Sequence, residues 1–166
     1  ADPSADIDGD DAAAKLVVLA GIAFRRHLRL ADIPRQSIRP ISAADFRYAR
    51  SLGCTIRQIA MVETKGDRFH AFVGPALVLR GSNFGLNMGA NNVVTISGHY
   101  GGENSFSGPG AGGPPTAVAV VSVLLSLTQR TQDRSEEWPA RQGAGGAARP
   151  HYLRIVVYDR AGLVAC

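Results

Sequence analysis

Only two cysteines occur in the 166 residues, Cys54 and Cys166. They stand far apart and in no C-x-x-C arrangement, which excludes a disulfide framework and a zinc site and suits a reducing compartment. Lysine is as scarce: beside Lys15 and Lys65 every basic residue of the Lys/Arg set is an arginine. Because arginine stays charged, it cannot shuttle protons. The longest apolar run, residues 117–127, is shorter than the ~20 residues of a membrane span and is interrupted by Ser122 and Ser126. Neither an initiator Met nor a signal peptide opens the chain, so the expectation is a soluble, cytoplasmic protein. Aromatic residues make up 7% with a single Trp, and the arginines are dispersed from Arg25 to Arg160. A net charge of +4 therefore comes without the basic, aromatic-lined patch that nucleic-acid binding needs. No internal repeat is evident.

Acid at the front is the first positive feature. Asp6, Asp8, Asp10 and Asp11 precede Lys15 across an alanine run, Ala12 to Ala14, of strong helix formers. Asp11 and Lys15 are spaced i,i+4 with the acid N-terminal to the base, so a helix puts both on one face. Asp8 or Asp10 serves as N-cap, and negative charge in this first turn suits the helix dipole. Two meanings fit these letters. One is a capped surface helix with a solvated ion pair; the other is a place to grip an amino or hydroxyl group and pass a proton.

The pattern predicts a helix over residues 11–28 with Leu16, Leu19, Ala20 and Ala23 facing inward and Arg25, Arg26 and Arg29 at its C-terminal end. A second helix runs from Ser42 to Leu52, with Asp45 completing a box-like start and Gly53 ending it. Residues 55–62 and 69–79 read as strands joined by a hairpin at Lys65-Gly66-Asp67. Residues 93–96 and 99–106 suggest another around Ser97-Gly98. Pro114 and Pro115 suit the first turn of a third helix to about Gln129, apolar enough to pack on the sheet. Residues 131–150 lack periodicity and read as an exposed linker. The fold class is α/β, or α+β: a mixed, largely antiparallel sheet covered by helices.

Gly108, Gly110 and Gly113 satisfy G-x-G-x-x-G before a helix, but no βαβ unit follows, and Asp133, at about the ~20-residue offset of a ribose ligand, lies in the linker. A Gly-Pro turn explains the glycines; small residues before a helix N-terminus also let a ligand approach the backbone closely. His70 and His99 fall on strand-like runs and read as surface or structural histidines.

Three blocks resemble one family, in its order and at family-like spacing. Residues 2–16, Asp-Pro-Ser-Ala-Asp-Ile-Asp-Gly-Asp-Asp-Ala-Ala-Ala-Lys-Leu, look like the segment entering the catalytic domain of homoserine dehydrogenase. Residues 37–50, from Ser37-Ile38-Arg39-Pro40 to Tyr48-Ala49-Arg50, resemble a second family stretch, and residues 108–117, Gly-Pro-Gly-Ala-Gly-Gly-Pro-Pro-Thr-Ala, its glycine-rich loop. Residues 152–165 are similar to the first strand and turn of an ACT regulatory domain. The resemblance implies a catalytic, substrate-binding domain over residues 1–130, a linker over 131–150 and an incomplete ACT domain over 151–166.

By the same resemblance the activity is the NAD(P)-dependent interconversion of L-homoserine and L-aspartate 4-semialdehyde, with the sheet forming a homodimer interface. Asp6 and Asp11 match carboxylates that bind the amino or hydroxyl group of homoserine, and Lys15 matches the general acid/base. Gly112, with Gly110 and Thr116, matches the border of the nicotinamide. The family's substrate-binding glutamate would fall just before Ala1, and its N-terminal nucleotide-binding domain lies outside these residues, so this fragment alone is expected to be inactive. Gly74-Pro75 stands where the family has His-Pro, and Phe106-Ser107-Gly108 where it has Phe-Tyr-Gly; Asn92 matches. Two other readings remain open: a non-enzymatic ACT-type binding module, and an oxidoreductase for another amino-acid semialdehyde.

Overall fold

The computed structural model describes residues 2–25, 27–65, 68–129, 143–144 and 151–154. The chain opens with a one-turn helix α1 (Ser4–Ile7), followed by α2 (Asp10–Phe24), a 3-10 turn at Leu30–Asp32 and α3 (Ala43–Ser51). Next come strands β1 (Cys54–Lys65) and β2 (Arg68–Leu79), a short α4 (Asn83–Leu86), strands β3 (Asn91–Gly98) and β4 (Gly102–Pro109), α5 (Gly113–Gln129) and a two-residue β5 (Gly143–Ala144). Helices and antiparallel hairpins thus build the mixed α/β layer expected from the sequence.

β1 and β2 form an antiparallel hairpin in register from Cys54 opposite Leu79 to Lys65 opposite Arg68, and β5 adds in parallel beside Phe69 and His70. Alternation along β2 sends Phe69, Ala71 and Val73 into the core. There they meet Ala13, Leu16 and Ala20 of α2, together with Leu28 and Ile33 beyond it. The inward stripe of α2 is therefore Ala13, Leu16 and Ala20, joined by Gly21, whereas Leu19 and Ala23 are exposed. Small residues dominate because the helix lies close to the sheet: a Cβ on Gly9, at its N-terminus, would sit 2.9 Å from the Val73 side chain.

α2 ends at Phe24 rather than at residue 28, because Arg25 adopts a left-handed conformation (φ 50°, ψ 46°) that stops the helix. The turn this makes lets Leu28 and Ile33 reach the core, and the Phe24 ring tilts against Phe69 at 5.3 Å between centroids. The following segment joins the open side of β2, where the Val73 N–H donates to Pro34 O (3.0 Å) and the Gln36 N–H to Val73 O (2.8 Å). Gly74 is buried here, with the Phe72 ring and Gln36 occupying the space a side chain would need.

α3 begins as expected: Ser42 is its N-cap, and the Asp45 carboxylate accepts from the Ser42 N–H at 2.7 Å. It ends before Gly53, whose φ of 68° suits glycine. Asp45 is buried and is reached from far along the chain by Tyr152 Oη (3.2 Å) and Arg154 Nη1 (2.7 Å).

The remaining elements depart from expectation. β3 and β4 pair antiparallel as a separate two-stranded sheet. Its turn spans residues 99–101 rather than Ser97-Gly98, so His99 lies in the turn, packed edge-on against Tyr100, and not on a strand. α5 does start with its prolines in the first turn. Among the described residues it does not pack on a sheet, however: its valines and leucines from Val118 to Leu127 are 52% to 67% exposed. A helix apolar all round is the buried helix of a larger body, and neither hairpin supplies that surface. Most of the 131–150 linker, residues 155–166 of the ACT-like segment, Asp133 and Cys166 lie outside the described residues.

Candidate active site

The front acids gather at the corner between α1 and α2, and their partners divide them into two sets. Neither Asp8 nor Asp10 caps α2; that place belongs to Gly9, at φ 84° and ψ 12°, without a side-chain cap. The reason is competition. Asp8 accepts from Arg39 Nε (2.9 Å) and Ser37 Oγ (2.7 Å) at one oxygen and from Arg39 Nη2 (2.9 Å) at the other. These hydrogen bonds, the arginine's first and the serine's second, bring its pKa down to about 2. Asp10 pairs with Arg35 at 3.3 Å.

Asp11 and Lys15 form the second set, an exposed pair with Nζ 2.7 Å from Oδ2, as the i,i+4 spacing predicts. Asp6, one turn before, is exposed, and among the described residues its carboxylate has no hydrogen bond or ion pair. Its backbone carbonyl accepts from Gln58 Nε2 at 2.9 Å, which ties α1 to β1. The corner thus presents an open carboxylate, a carboxylate paired with an amine, and a lysine with three rotatable donors. Such a set can hold an ammonium or hydroxyl group and exchange a proton with it.

Gly110, Gly112 and Thr116 sit together where β4 gives way to α5. The Gly110 N–H donates to Ala90 O (3.0 Å), and a Cβ on Gly110 would collide with the Asn92 side chain, which accounts for a glycine beside Asn92. Gly112 has φ 116°, and its carbonyl accepts from both the N–H (3.1 Å) and the hydroxyl (2.7 Å) of Thr116. The glycines fit the close approach of a flat ligand, and Thr116 fits as the brace of Gly112, its hydroxyl proton already given. Among the described residues no hydrogen bond or ion pair joins this loop to the Asp6–Lys15 corner. An open cleft of about 440 Å³ between α4 and the β3–β4 hairpin, lined by Asn83, Asn87, Asn91, Ser105 and Ser107 among others, contains none of these candidates.

Ser37 and Arg39 fall in a family-like block, but sequence reasoning gave no site role to them or to Arg35 and Gln58, the side chains that hold the corner. No local spacing links them to the acids, because Arg39 is 31 residues from Asp8 and Gln58 is 52 from Asp6.

A helix-covered antiparallel hairpin thus carries an acid–lysine corner, and a glycine loop follows at a helix start. The homoserine dehydrogenase family profile matches residues 1–125, and the chain belongs to that family. Homoserine dehydrogenase of Mycobacterium leprae is 44% identical over 99% of this chain and 40% of its own length. The Synechocystis enzyme is 35% identical over 93% of the chain and 36% of its own length. Among solved structures, homoserine dehydrogenase from Thiobacillus denitrificans superimposes with a TM-score of 0.74 at 34% identity, covering 78% of this chain and 30% of that one. A hyperthermophilic archaeal homoserine dehydrogenase mutant, solved in complex with NADPH, gives a TM-score of 0.62 at 28% identity, covering 79% of this chain and 36% of that one. The chain thus spans about 40% or less of the length of these relatives.

Proposed function

We propose that this chain is the substrate-binding catalytic part of a cytoplasmic enzyme that interconverts L-homoserine and L-aspartate 4-semialdehyde with NAD(P), in the biosynthesis of threonine, methionine and isoleucine. The observation that carries the proposal is the Asp11–Lys15 pair at 2.7 Å, a few residues after Asp6, whose carboxylate has no ion pair among the described residues, within a family-matched segment. A nicotinamide cofactor, bound against Gly110 and Gly112, would supply the hydride acceptor for the alcohol carbon. Asp6 binds the substrate ammonium. Asp11 orients Lys15 and accepts from the substrate hydroxyl or amine. As the neutral amine Lys15 takes the hydroxyl proton while the carbonyl forms, and as the ammonium it returns that proton in the reverse direction. Gly110 and Gly112 let the nicotinamide approach the backbone, with Thr116 holding Gly112 in place.

In this reading residues 1–130 are the catalytic domain, 131–150 a linker and 151–166 the first strand of an ACT domain, and the protein is a homodimer through its β region. The reach of Tyr152 and Arg154 to Asp45 supports a C-terminal segment that leans on the catalytic layer. The test joins this chain to the upstream segment of the Mycobacterium leprae relative and follows homoserine-dependent reduction of NAD(P). Turnover in the parent that collapses in Lys15→Ala supports the roles given; turnover undiminished in the variant overturns that of Lys15.

A further inference from the structure

α1 is a single turn, too short to hold its own conformation, yet it carries Asp6, while Asp11 and Lys15 ride on α2. The relation between the two sets depends on the corner at Asp8 and Gly9, and this corner is held from outside by residues 37–39. The Ile38 N–H donates to Ile7 O at 3.1 Å, Ser37 Oγ to Asp8 Oδ1 at 2.7 Å, and the Arg39 guanidinium forks across both Asp8 oxygens at 2.9 Å each. The same guanidinium reaches Ser4 Oγ at 3.1 Å, so one side chain ties the start of α1 to its end.

We propose that Arg39 is a positioning residue for the substrate carboxylates, acting through Asp8. By occupying both Asp8 oxygens it keeps that acid from competing for a cationic substrate group, and by bracing the corner it holds Asp6 at a set place relative to Asp11 and Lys15. Arg35 makes a single, longer ion-pair contact with Asp10, Nε to Oδ1 at 3.3 Å. Of the acids between residues 6 and 11, ion pairing thus leaves Asp6 open and Asp11 with the lysine. An arginine suits this task because its planar fork matches a carboxylate on two atoms, which an ammonium does not.

This inference rests on the reading of Asp6, Asp11 and Lys15 as the substrate site. Its test uses the same extended chain, with KM and kcat measured separately for L-homoserine and for the nicotinamide cofactor. Arg39→Ala raises KM for L-homoserine roughly ten-fold through misplacement of its ligands and leaves KM for the cofactor unchanged; Arg39→Lys recovers only part. A purely structural role gives no such split and overturns the proposal, as does an unchanged KM for L-homoserine in an active Arg39→Ala protein. Where Arg39→Ala does not fold, Asp8→Asn keeps the shape and loses the charge; it shows the same split at smaller size, and an unchanged KM there overturns the proposal too. A parent without homoserine-dependent turnover overturns the functional reading along with this one, which separates the two failures.

Discussion

The α1–α2 corner and α5 are opposites in how they find partners. At the corner, Asp8, Asp10 and Asp11 each meet a basic side chain at between 2.7 and 3.3 Å, all supplied by residues 15–39. The valines and leucines of α5 from Val118 to Leu127 stay more than half exposed among the described residues. Directional charge pairs are satisfied by one well-placed neighbour, whereas an apolar helix needs an extended facing surface. A segment rich in short-range polar partners can therefore be complete within this chain while an apolar segment a hundred residues later is not.

Loss of the lysine separates the two regions most. Lys15→Ala in the extended chain lowers homoserine-dependent turnover by about 10²–10⁴-fold, the usual worth of a positioned acid/base. It leaves the melting temperature nearly unchanged, because the pair is exposed; circular dichroism beside the assay reads both. Next in size is the core that backs the corner. Phe69, 2% exposed, truncated in Phe69→Ala, costs about 3–5 kcal/mol in denaturant unfolding. Gly9→Ala follows, at about 1–3 kcal/mol for a non-glycine residue forced into an unfavourable conformation, here φ 84° with the Val73 side chain 2.9 Å from the new Cβ.

Acid acts on the polar corner and not on α5. Asp8 has its folded pKa lowered to about 2 by Arg39 and Ser37, and Asp45 has its own lowered chiefly by Ser42. A depressed carboxylate pKa contributes stability that is present above the unfolded value of 3.8 and is lost as pH falls through the folded one. Melting temperatures should thus hold above pH ~4 and fall between there and pH ~2. Asp8→Asn flattens part of that slope; an unaltered slope in the variant would remove Asp8 from the account. The smallest effect belongs to α5: Leu124→Ser, at a residue 56% exposed, shifts unfolding of this chain by no more than about 0.5 kcal/mol. A loss as large as that of Phe69→Ala would show that α5 is covered after all.

Much of this was legible in the letters because it is local. The i,i+4 couple of Asp11 and Lys15, the Ser42–Asp45 helix start, Gly53 as a stop and the pairing of the strands on either side of residues 66–67 each depend on residues within a few positions of one another. Errors came wherever a distant partner won. Asp8 reads as a cap but is taken by Arg39; the inward face of α2 shifts toward Ala13 because β2 comes close to Gly9; and α5, whose composition predicts burial, stays exposed among the described residues. His99 was misplaced for a different reason: the β3–β4 register, not side-chain preference, puts the turn at residues 99–101.

The sequence by itself determined the helix and hairpin alphabet of this protein and the acid–lysine couple of its candidate site, since capping, i,i+4 spacing and period-2 alternation are set over a few residues. Only the tertiary structure decided which acids remain open to a substrate. That choice depends on Ser37, Arg35 and Arg39 arriving at the corner from about thirty residues away, and ion pairs between such distant residues exist only once the chain has folded.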